Sequence, residues 1–246
     1  MARAFWTNGP EPSRWGVARG SGVDQVCQLS NKLAKRPYRT LILGEGDKMT
    51  ALIVIDVQND FCSGGALAVP DGAEIVTGIN SLMETSEAII LTQDWHPNGH
   101  SSFASSHKAR EPYDTIDMPY GSQVLWPTHC VQGSKGADFH PNLQTNSAEV
   151  VVRKGFRTAI DSYSAFFEND QTTVTGLEGY LRTRGIQELT LVGLATDFCV
   201  YYSAIDAIKL GFAVTVDLGL CRAIDLAGSL DTACRSMQLA GITLRG

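Results

Sequence analysis

Short apolar runs alternate with segments of helical periodicity from residue 49 to the end of the chain. Six apolar runs predict strands, at residues 52–57, 88–92, 149–153, 189–193, 213–216 and 242–244. Apolar residues at helical spacing predict helices over residues 71–85, 175–184, 197–210 and 227–240. Strands that alternate with helices are typical of a parallel sheet covered on both faces. The pattern therefore predicts an α/β protein, a three-layer α/β/α fold with a six-stranded, mostly parallel sheet.

The first 48 residues do not follow this pattern. They carry scattered Gly, Pro, Ser and Arg and lack the apolar segment of a secretory signal peptide. Glu11 and Asp24 interrupt the match to an organelle transit peptide. Met49 stands directly before the first predicted strand and is the natural start that we expect. We interpret residues 1–48 as an N-terminal extension outside the fold, and residues 49–246 as the folded domain.

Composition and charge exclude several classes of protein. Of the 246 residues, 43% are apolar and 19% are charged, which suits a folded core. The net charge is +4 over residues 1–48 and −10 over residues 49–246, and an acidic body argues against nucleic acid as the main partner. The apolar runs are too short to cross a membrane. The cysteines are sparse and form no CxxC pair, which favours reduced thiols in a cytoplasmic protein. The sequence leaves open whether the protein is a monomer or a homo-oligomer.

Polar residues with useful chemistry stand where the predicted strands end. Asp56 ends the first strand, Asp94 follows the second, Lys154 follows the third, and residues 196–199 follow the fourth. In open parallel sheets, ligands bind beyond the carboxyl ends of the strands, near a topological switch point. We therefore expect these side chains to share one site.

Three of these residues indicate covalent catalysis. Cys199 lies where the chain enters a helix, and backbone N–H groups and the helix dipole at such a place lower a thiol pKa and hold an oxyanion. Asp56 and Lys154 would be costly to bury unless they pair or do chemistry. The alternatives are an inert buried thiol at Cys199 and a helix or turn cap at Asp56. A Lys beside an Asp and a Cys favours a nucleophilic site, because the cation helps to hold a thiolate.

Histidines cluster in residues 94–147, an irregular stretch so long that we expect it to be functional. His96 follows Asp94 in a DxH pattern, and His100 and His129 come later in the same stretch. One carboxylate with two or three imidazoles is a common ligand set for a divalent transition metal. The alternative is a group of solvated loop histidines, and the neighbouring strand-end Asp favours the metal.

Aromatic residues stand close to these polar groups in the sequence. They are Phe61, Trp95, Trp126 and Tyr163. Packing into the core is the usual fate of aromatic side chains. The alternative is that they form the walls of a pocket for a flat aromatic ligand.

Six stretches together resemble the nicotinamidase/pyrazinamidase group of the isochorismatase-like cysteine hydrolases. They read LIVIDVQNDFCSGGALAVPDG, TQDWHPNGHSSFASSH, WPTHCVQGSKGADFHP, KGFRTAIDSYSAFF, GLATDFCV and DLGLCRAID. The likeness runs from Met49 to the end of the chain, with the motifs in the family's order. DVQNDF is shared by the whole superfamily, whereas DxH with WPxHC and the KG…YSAFF segment are similar to the nicotinamidase branch. The resemblance implies that residues 49–246 form an isochorismatase-like amidohydrolase domain.

The resemblance also implies a role for each matching residue. The residues that match the catalytic triad are Asp56, Lys154 and Cys199. The residues at Leu194 and Ala195 match a cis peptide, and the oxyanion-hole donors would be the N–H groups of Ala195 and Cys199. The residues that match ligands of one divalent metal ion (Zn, Fe or Mn) are Asp94, His96 and His129, with His100 as a further ligand in some members. The residues that match the ring-binding wall are Phe61, Trp126 and Tyr163.

The activity implied by the resemblance is hydrolysis of nicotinamide to nicotinate and ammonia through a thioester on Cys199, in the salvage of pyridine nucleotides for NAD. Pyrazinamide would be a second substrate, and the metal would anchor the pyridine nitrogen rather than activate the nucleophile. One alternative is another cysteine amidase of the superfamily, such as an N-carbamoyl amide hydrolase, which the metal set argues against. The other is a catalytically silent binding protein with the same fold, which the intact Asp56, Lys154 and Cys199 argue against.

Overall fold

A parallel sheet forms the centre of the computed structural model, which describes residues 48–246. Its six strands are β1 (Met49–Ile55), β2 (Ile89–Asp94), β5 (Val150–Lys154), β6 (Ile186–Leu194), β7 (Ala213–Arg222) and β8 (Thr243–Arg245). They lie in the order β5-β2-β1-β6-β7-β8, and each neighbouring pair is parallel. Two further strands, β3 (Thr115–Met118) and β4 (Gly121–Val124), form a separate antiparallel hairpin.

Within residues 48–246, four α-helices pack against this sheet. They are α1 (Ile75–Met83), α2 (Leu177–Thr183), α3 (Tyr201–Lys209) and α4 (Ser229–Leu239). A single π-helical turn, Thr196–Val200, leads from β6 into α3. Gly211 follows α3 with φ 85°, the left-handed conformation that commonly ends a helix. None of the helices in residues 48–246 is long and apolar enough to cross a lipid bilayer.

Alternate residues of β1 enter two separate apolar cores. Ile53 belongs to the core that also contains Leu181 of α2 and Ala204 of α3, whereas Val54 belongs to the core that contains Ile79 of α1. Both faces of the strand are therefore buried, which explains its continuous apolar sequence. Full burial of each large apolar side chain contributes about 1.5–3 kcal/mol. The result is the predicted three-layer α/β/α arrangement.

The chain changes direction across the sheet between β1 and β6. From β1 it moves outward to β2 and β5, and it then returns to the other side of β1 as β6 before continuing to β7 and β8. The connections from β1 and from β6 therefore diverge at their carboxyl ends and leave a crevice between them. Asp56 and the turn containing Cys199 follow these two strands directly.

All six predicted strands are present, and the structure adds detail at two places. β7 runs to Arg222 because pairing with β6 resumes beyond a bulge, from Leu191 opposite Val216 to Gly193 opposite Cys221. The β3–β4 hairpin was missed inside residues 94–147, because its strands have four residues each and are mostly exposed or half-buried. The predicted extension, apart from residue 48, lies outside the described residues.

Candidate active site

A buried carboxylate at the end of β1 begins the site. Asp56 is completely buried and has a left-handed backbone, with φ 47°. The hydroxyl of Thr92 donates to Asp56 Oδ1 at 2.6 Å and accepts from the Asp56 N–H at 3.1 Å. The Thr92 hydroxyl thus holds both the main chain of Asp56 and one oxygen of its carboxylate. Among residues 48–246, the other oxygen, Oδ2, has no aligned hydrogen-bond donor, so it has a lone pair for a reacting proton.

Lys154 at the end of β5 supplies the matching charge. It is completely buried, and its Nζ lies 2.9 Å from Asp56 Oδ2. The ammonium donates hydrogen bonds to three atoms, namely Asp94 Oδ1 at 3.1 Å, the Ser162 carbonyl oxygen at 2.8 Å and Cys199 Sγ at 3.5 Å. A buried charge is tolerated only with such partners. The structure therefore brings together the four strand-end groups that the sequence singled out.

Burial raises the pKa of the Cys199 thiol well above its usual range. The Lys154 ammonium opposes this rise, but the nearby carboxylates Asp56 and Asp94 add to it. The sequence predicted that the helix N-terminus lowers the pKa of the Cys199 thiol. That prediction is wrong, because the surrounding protein groups raise this pKa. The reason is that burial disfavours the charged thiolate, and the one cation that would favour it is shared between two carboxylates.

The pKa of the Asp56 carboxyl is also raised, mainly by burial and against the attraction of Lys154. A carboxylate with a raised pKa is a stronger base near neutral pH. The pair of shifts suits a neutral thiol that gives up its proton as it attacks, with Asp56 as the acceptor. It does not suit a thiolate formed in advance.

Three ligand-type atoms converge on the other side of Lys154. Nε2 of His96 lies 2.9 Å from Asp94 Oδ2, and Nε2 of His129 lies 3.3 Å from the same oxygen. Each Nδ1 faces a backbone carbonyl, that of Gly155 at 2.8 Å and that of Pro127 at 2.7 Å. Because a carbonyl only accepts, these contacts assign the proton to Nδ1 and leave a lone pair on each Nε2.

These residues fit a divalent metal ion. The ligand atoms of Asp94, His96 and His129 all lie within 4.8 Å of one another, and all three side chains are buried. Lone pairs from two imidazoles and one carboxylate repel unless protons or a cation lie among them, and this donor set is one that transition metals prefer. Gly155 has φ 66°, and a Cβ there would lie 2.5 Å from His96 Cε1, so only glycine allows the supporting carbonyl to come so close.

His100 lies beside this set rather than within it. Its ring centroid is 4.3 Å from that of His96, and a second grouping of His96, His100 and Asp161 also has metal-ligand spacing. However, His100 Nε2 lies 2.9 Å from the Arg157 carbonyl oxygen, and its Nδ1 lies 2.7 Å from Ser102 Oγ. Both ring nitrogens thus have protein partners. A ligand role for His100 stays a prediction, and the geometry favours the set of three.

A small cavity opens onto both groups. Cys199 and the three metal-ligand candidates line it, and so do the aromatic residues that the resemblance implied, Phe61, Trp126 and Tyr163. Trp95 lies elsewhere, with the Arg153 guanidinium 4.0 Å above its ring centre. The aromatic lining of the cavity suits a small flat ligand.

Several lining residues were not singled out from the sequence. They are Leu67, Asp161, Ser162, Phe198 and Ile224. The Phe198 ring stands perpendicular to that of Trp126, with centroids 4.8 Å apart, and so extends the aromatic wall. Its position directly before Cys199 is the only sequence signal for this role, because nothing in the local pattern separates it from a core aromatic.

The turn between β6 and Cys199 has the predicted peptide geometry. The Leu194–Ala195 bond is cis, and both Ala195 and Cys199 line the cavity. The Ala195 carbonyl accepts N–H bonds from Phe198 and Val200, both at 3.1 Å, which closes the turn. Roles for the Ala195 and Cys199 N–H groups as oxyanion donors stay predictions.

Proteins of known identity are similar to this chain in sequence and in structure. The nicotinamidase of Acinetobacter baylyi is 53% identical over 192 residues, which cover 78% of this chain and 90% of that protein. A solved nicotinamidase/pyrazinamidase of Acinetobacter baumanii is 51% identical with a TM-score of 0.80, covering 82% of this chain and 97% of that one. The pyrazinamidase of Pyrococcus horikoshii, solved in complex with zinc, is 32% identical with a TM-score of 0.65, covering 79% and 97%.

The match extends to the family as a whole. The sequence profile of the isochorismatase domain matches residues 50–245, which is most of the chain. This range contains every strand-end group, the candidate ligand histidines and the aromatic wall described above. The chain therefore belongs to the isochorismatase family.

Proposed function

We propose that this protein is a nicotinamidase, which hydrolyses nicotinamide to nicotinate and ammonia and also accepts pyrazinamide. One observation carries the proposal: Cys199 Sγ lies 3.5 Å from a Lys154 ammonium that also contacts Asp56, in a cavity lined by aromatic rings. This arrangement offers a nucleophile, a base and a site for a flat ring within one small space. The relatives named above support the choice of substrate.

In the first half of the reaction, Asp56 accepts the thiol proton while Cys199 Sγ attacks the carboxamide carbon. The carbonyl oxygen becomes an oxyanion, which the N–H groups of Ala195 and Cys199 stabilise. Asp56 then returns the proton to the amide nitrogen, the C–N bond breaks, and ammonia leaves. Lys154 offsets the negative charge that passes between Asp56 and the substrate.

In the second half, the same carboxylate activates water. Asp56 accepts a proton from the water as its oxygen attacks the thioester carbon, and the C–S bond breaks. The proton on Asp56 returns to Cys199 Sγ, and the acid product gives its remaining proton to solvent and leaves as nicotinate. The raised pKa of the Asp56 carboxyl suits both halves, because the group must accept and release a proton near neutral pH.

Asp94, His96 and His129 would hold one divalent metal ion, for which Zn, Fe and Mn are the candidates, with His100 kept as a further candidate ligand. Such an ion would supply Lewis acidity for anchoring the pyridine nitrogen of the substrate. Asp94 serves both groups, since its Oδ2 faces the histidines and its Oδ1 accepts from Lys154. The zinc in the Pyrococcus horikoshii relative supports a metal here.

We also infer that residues 1–48 are an extension outside the amidohydrolase domain of residues 49–246. The family match that begins at residue 50 supports this division. A cytoplasmic location, a role in NAD salvage and the choice between a monomer and a homo-oligomer stay predictions from the sequence.

Ammonia release from nicotinamide by the purified protein tests the proposed function. We expect turnover by the wild type, loss of most activity with a chelator, and recovery when metal is added back. Metal content is measured on the same samples. A protein that binds metal and nicotinate but releases no ammonia would instead be the silent binding member. A protein that hydrolyses an N-carbamoyl amide and not nicotinamide would be another amidase of the family.

A further inference from the structure

A buried glutamine of the β3–β4 hairpin connects two walls of the cavity. Gln123 is 1% exposed, although its hairpin is otherwise mostly solvent-facing. We propose that Gln123 is a positioning residue for the substrate ring, because its amide holds the side chains of Tyr163 and Asp161 in place. This proposal rests on the proposed function. Both of these residues line the cavity, and Gln123 itself does not.

The contacts of the Gln123 amide fix its orientation. Its Nε2 carries two hydrogens, which three oxygens share as acceptors, namely the Val124 carbonyl at 2.7 Å, Asp161 Oδ2 at 2.7 Å and the Tyr163 hydroxyl at 3.0 Å. Its Oε1 accepts from the Tyr120 hydroxyl and from Asn169 Nδ2, both at 3.2 Å. A flipped amide would turn its oxygen toward a carbonyl and a carboxylate, so only this orientation satisfies every partner.

The contact with Tyr163 determines the aromatic wall. The Tyr163 oxygen also accepts from Trp126 Nε1 at 3.1 Å, and the two rings stand nearly perpendicular with centroids 6.2 Å apart. Gln123 and Trp126 therefore hold the phenol from two directions. Without the amide, the Tyr163 oxygen keeps its hydrogen bond with Trp126 alone among residues 48–246, and the ring gains freedom to tilt into the cavity.

The contact with Asp161 holds a polar residue of the cavity lining. Asp161 is 2% exposed, its Oδ1 accepts from the Ser162 N–H at 2.9 Å, and the same oxygen lies 4.0 Å from His96 Nε2. Gln123 is the side-chain donor to the other oxygen. Removal of a hydrogen-bond donor from so deeply buried a carboxylate lowers the free energy of unfolding. Gln123 thus keeps Asp161 from turning toward the ring space.

The test compares Gln123→Leu and Gln123→Glu with the wild type. Leu removes the donor and acceptor at similar volume, and Glu places an oxygen against Asp161. We expect Gln123→Leu to raise the KM for nicotinamide about tenfold, the loss expected for one positioning hydrogen bond to a charged group. We expect kcat to change less than KM, because Gln123 contacts neither Cys199 nor Asp56. Gln123→Glu should raise KM further, and calorimetry should show the same weakening for nicotinate.

A control separates positioning from general loss of stability. Asn80 also bridges two segments through its amide, donating to the Asn142 carbonyl and accepting from the Gln144 N–H, at a distance from the cavity residues. Asn80→Leu should lower the melting temperature and leave KM unchanged. If it raises KM as much as Gln123→Leu does, the effect is general and the proposal is overturned.

Tyr163→Phe keeps the test informative if Gln123→Leu folds poorly, because on its own it should raise the KM for nicotinamide. Where both variants fold, they are combined in a double-mutant cycle. Tyr163→Phe removes only the hydroxyl that Gln123 holds, so the two changes should raise KM by less than the product of their separate effects. Fully multiplicative effects on KM would overturn the proposal. A fall in kcat at constant KM would also overturn it, because Gln123 would then act through Asp161 and Ser162 on Lys154 rather than on the substrate ring. A wild type that does not hydrolyse nicotinamide would refute the proposed function, whereas the nicotinate titration would still report on Gln123.

Discussion

The cavity is built from two regions of different construction. One region is the strand-end group, defined as Asp56, Asp94, Lys154 and Cys199, whose residues are at most 8% exposed and linked by contacts of 2.9–3.5 Å through one ammonium. The other is the loop wall, defined as Phe61, Trp126, Tyr163 and Phe198, whose rings contact one another edge to face or lie against the ligand histidines. The first region balances charge, and the second sets shape.

This difference predicts how each region responds to change. A charge balance among buried groups fails when one member is removed, because the remaining charges lose their compensation. A wall of packed rings loses shape gradually, because each ring contributes only part of the surface. Substitutions in the strand-end group should therefore act on kcat and stability, whereas substitutions at the loop wall and at the ligand histidines His96 and His129 should act mainly on substrate binding.

The largest effect is expected for Cys199→Ala. Loss of the covalent nucleophile should lower kcat by at least about 10⁴-fold, because the alternative is direct attack by water. The fold should persist, since the thiol is small and its main-chain contacts stay. Cys234→Ala in α4 is the matched control and should keep wild-type activity. Ammonia release that persists in Cys199→Ala at a tenth of the wild-type rate would remove the thioester from the mechanism.

Lys154→Met tests the charge balance itself. The change leaves two buried carboxylates without their shared cation, which should cost about 3–5 kcal/mol in the free energy of unfolding and lower kcat by about 10²-fold or more. Chemical denaturation and steady-state kinetics measure the two effects. Lys48→Met, which removes an exposed ion pair with Glu188, is the control and should change neither. Equal stability of Lys154→Met and the wild type would contradict the idea of a shared cation.

The two regions also differ in how far the sequence predicted them. Strand ends are readable because an apolar run stops at a charged residue, as at Asp56 and Lys154, and topology then brings such ends to one edge of the sheet. The wall is less readable, because its members come from loops whose paths depend on distant contacts. Gln123 illustrates this: it is one polar residue in a four-residue strand, and only its tertiary partners reveal its burial.

One local inference was wrong for the same reason. The lowered thiol pKa at Cys199 was inferred from a helix N-terminus, a local feature, whereas burial and two carboxylates from other strands decide the direction. At His100, tertiary contacts add what the local pattern does not show, since its ring nitrogens contact Ser102 and the Arg157 carbonyl. A ligand role for His100 stays a prediction.

His96→Ala separates metal and ring binding from chemistry. We expect loss of bound metal and a rise of about tenfold or more in the KM for nicotinamide, since removal of one ligand of a metal site weakens it strongly. Benzamide, which lacks the ring nitrogen, should be a poor substrate of the wild type and should lose comparatively little. His107→Ala is the control, because His107 lies outside the cavity and contacts the Ser101 carbonyl. Unchanged KM with an unreactive Cys199 would mean that the metal activates the nucleophile.

Alkylation of Cys199 tests the direction of its pKa shift. In chelator-treated protein, a thiol with a raised pKa holds its proton at neutral pH, so the alkylation rate should be low at pH 7. The rate should rise about tenfold per pH unit and continue to rise beyond pH 9, because thiolate is formed only as pH approaches the raised pKa. Iodoacetamide labelling with mass mapping follows the site. A rate that is already constant between pH 6 and pH 8 would indicate a preformed thiolate and restore the expectation from the helix N-terminus.

The smallest effect is expected for removal of residues 1–48, which should leave both regions of the cavity intact. Within the described residues, the deletion removes only the contact of the Lys48 ammonium with Glu188, an exposed pair 2.8 Å long. Such pairs are screened by water and salt and contribute little to stability. The shortened protein, beginning at Met49, should therefore fold and keep the kcat, KM and metal content of the full chain. An insoluble or inactive product, under conditions where the full chain works, would show that the extension belongs to the enzyme. A selective rise in KM would place its contribution at the loop wall rather than at the strand-end group.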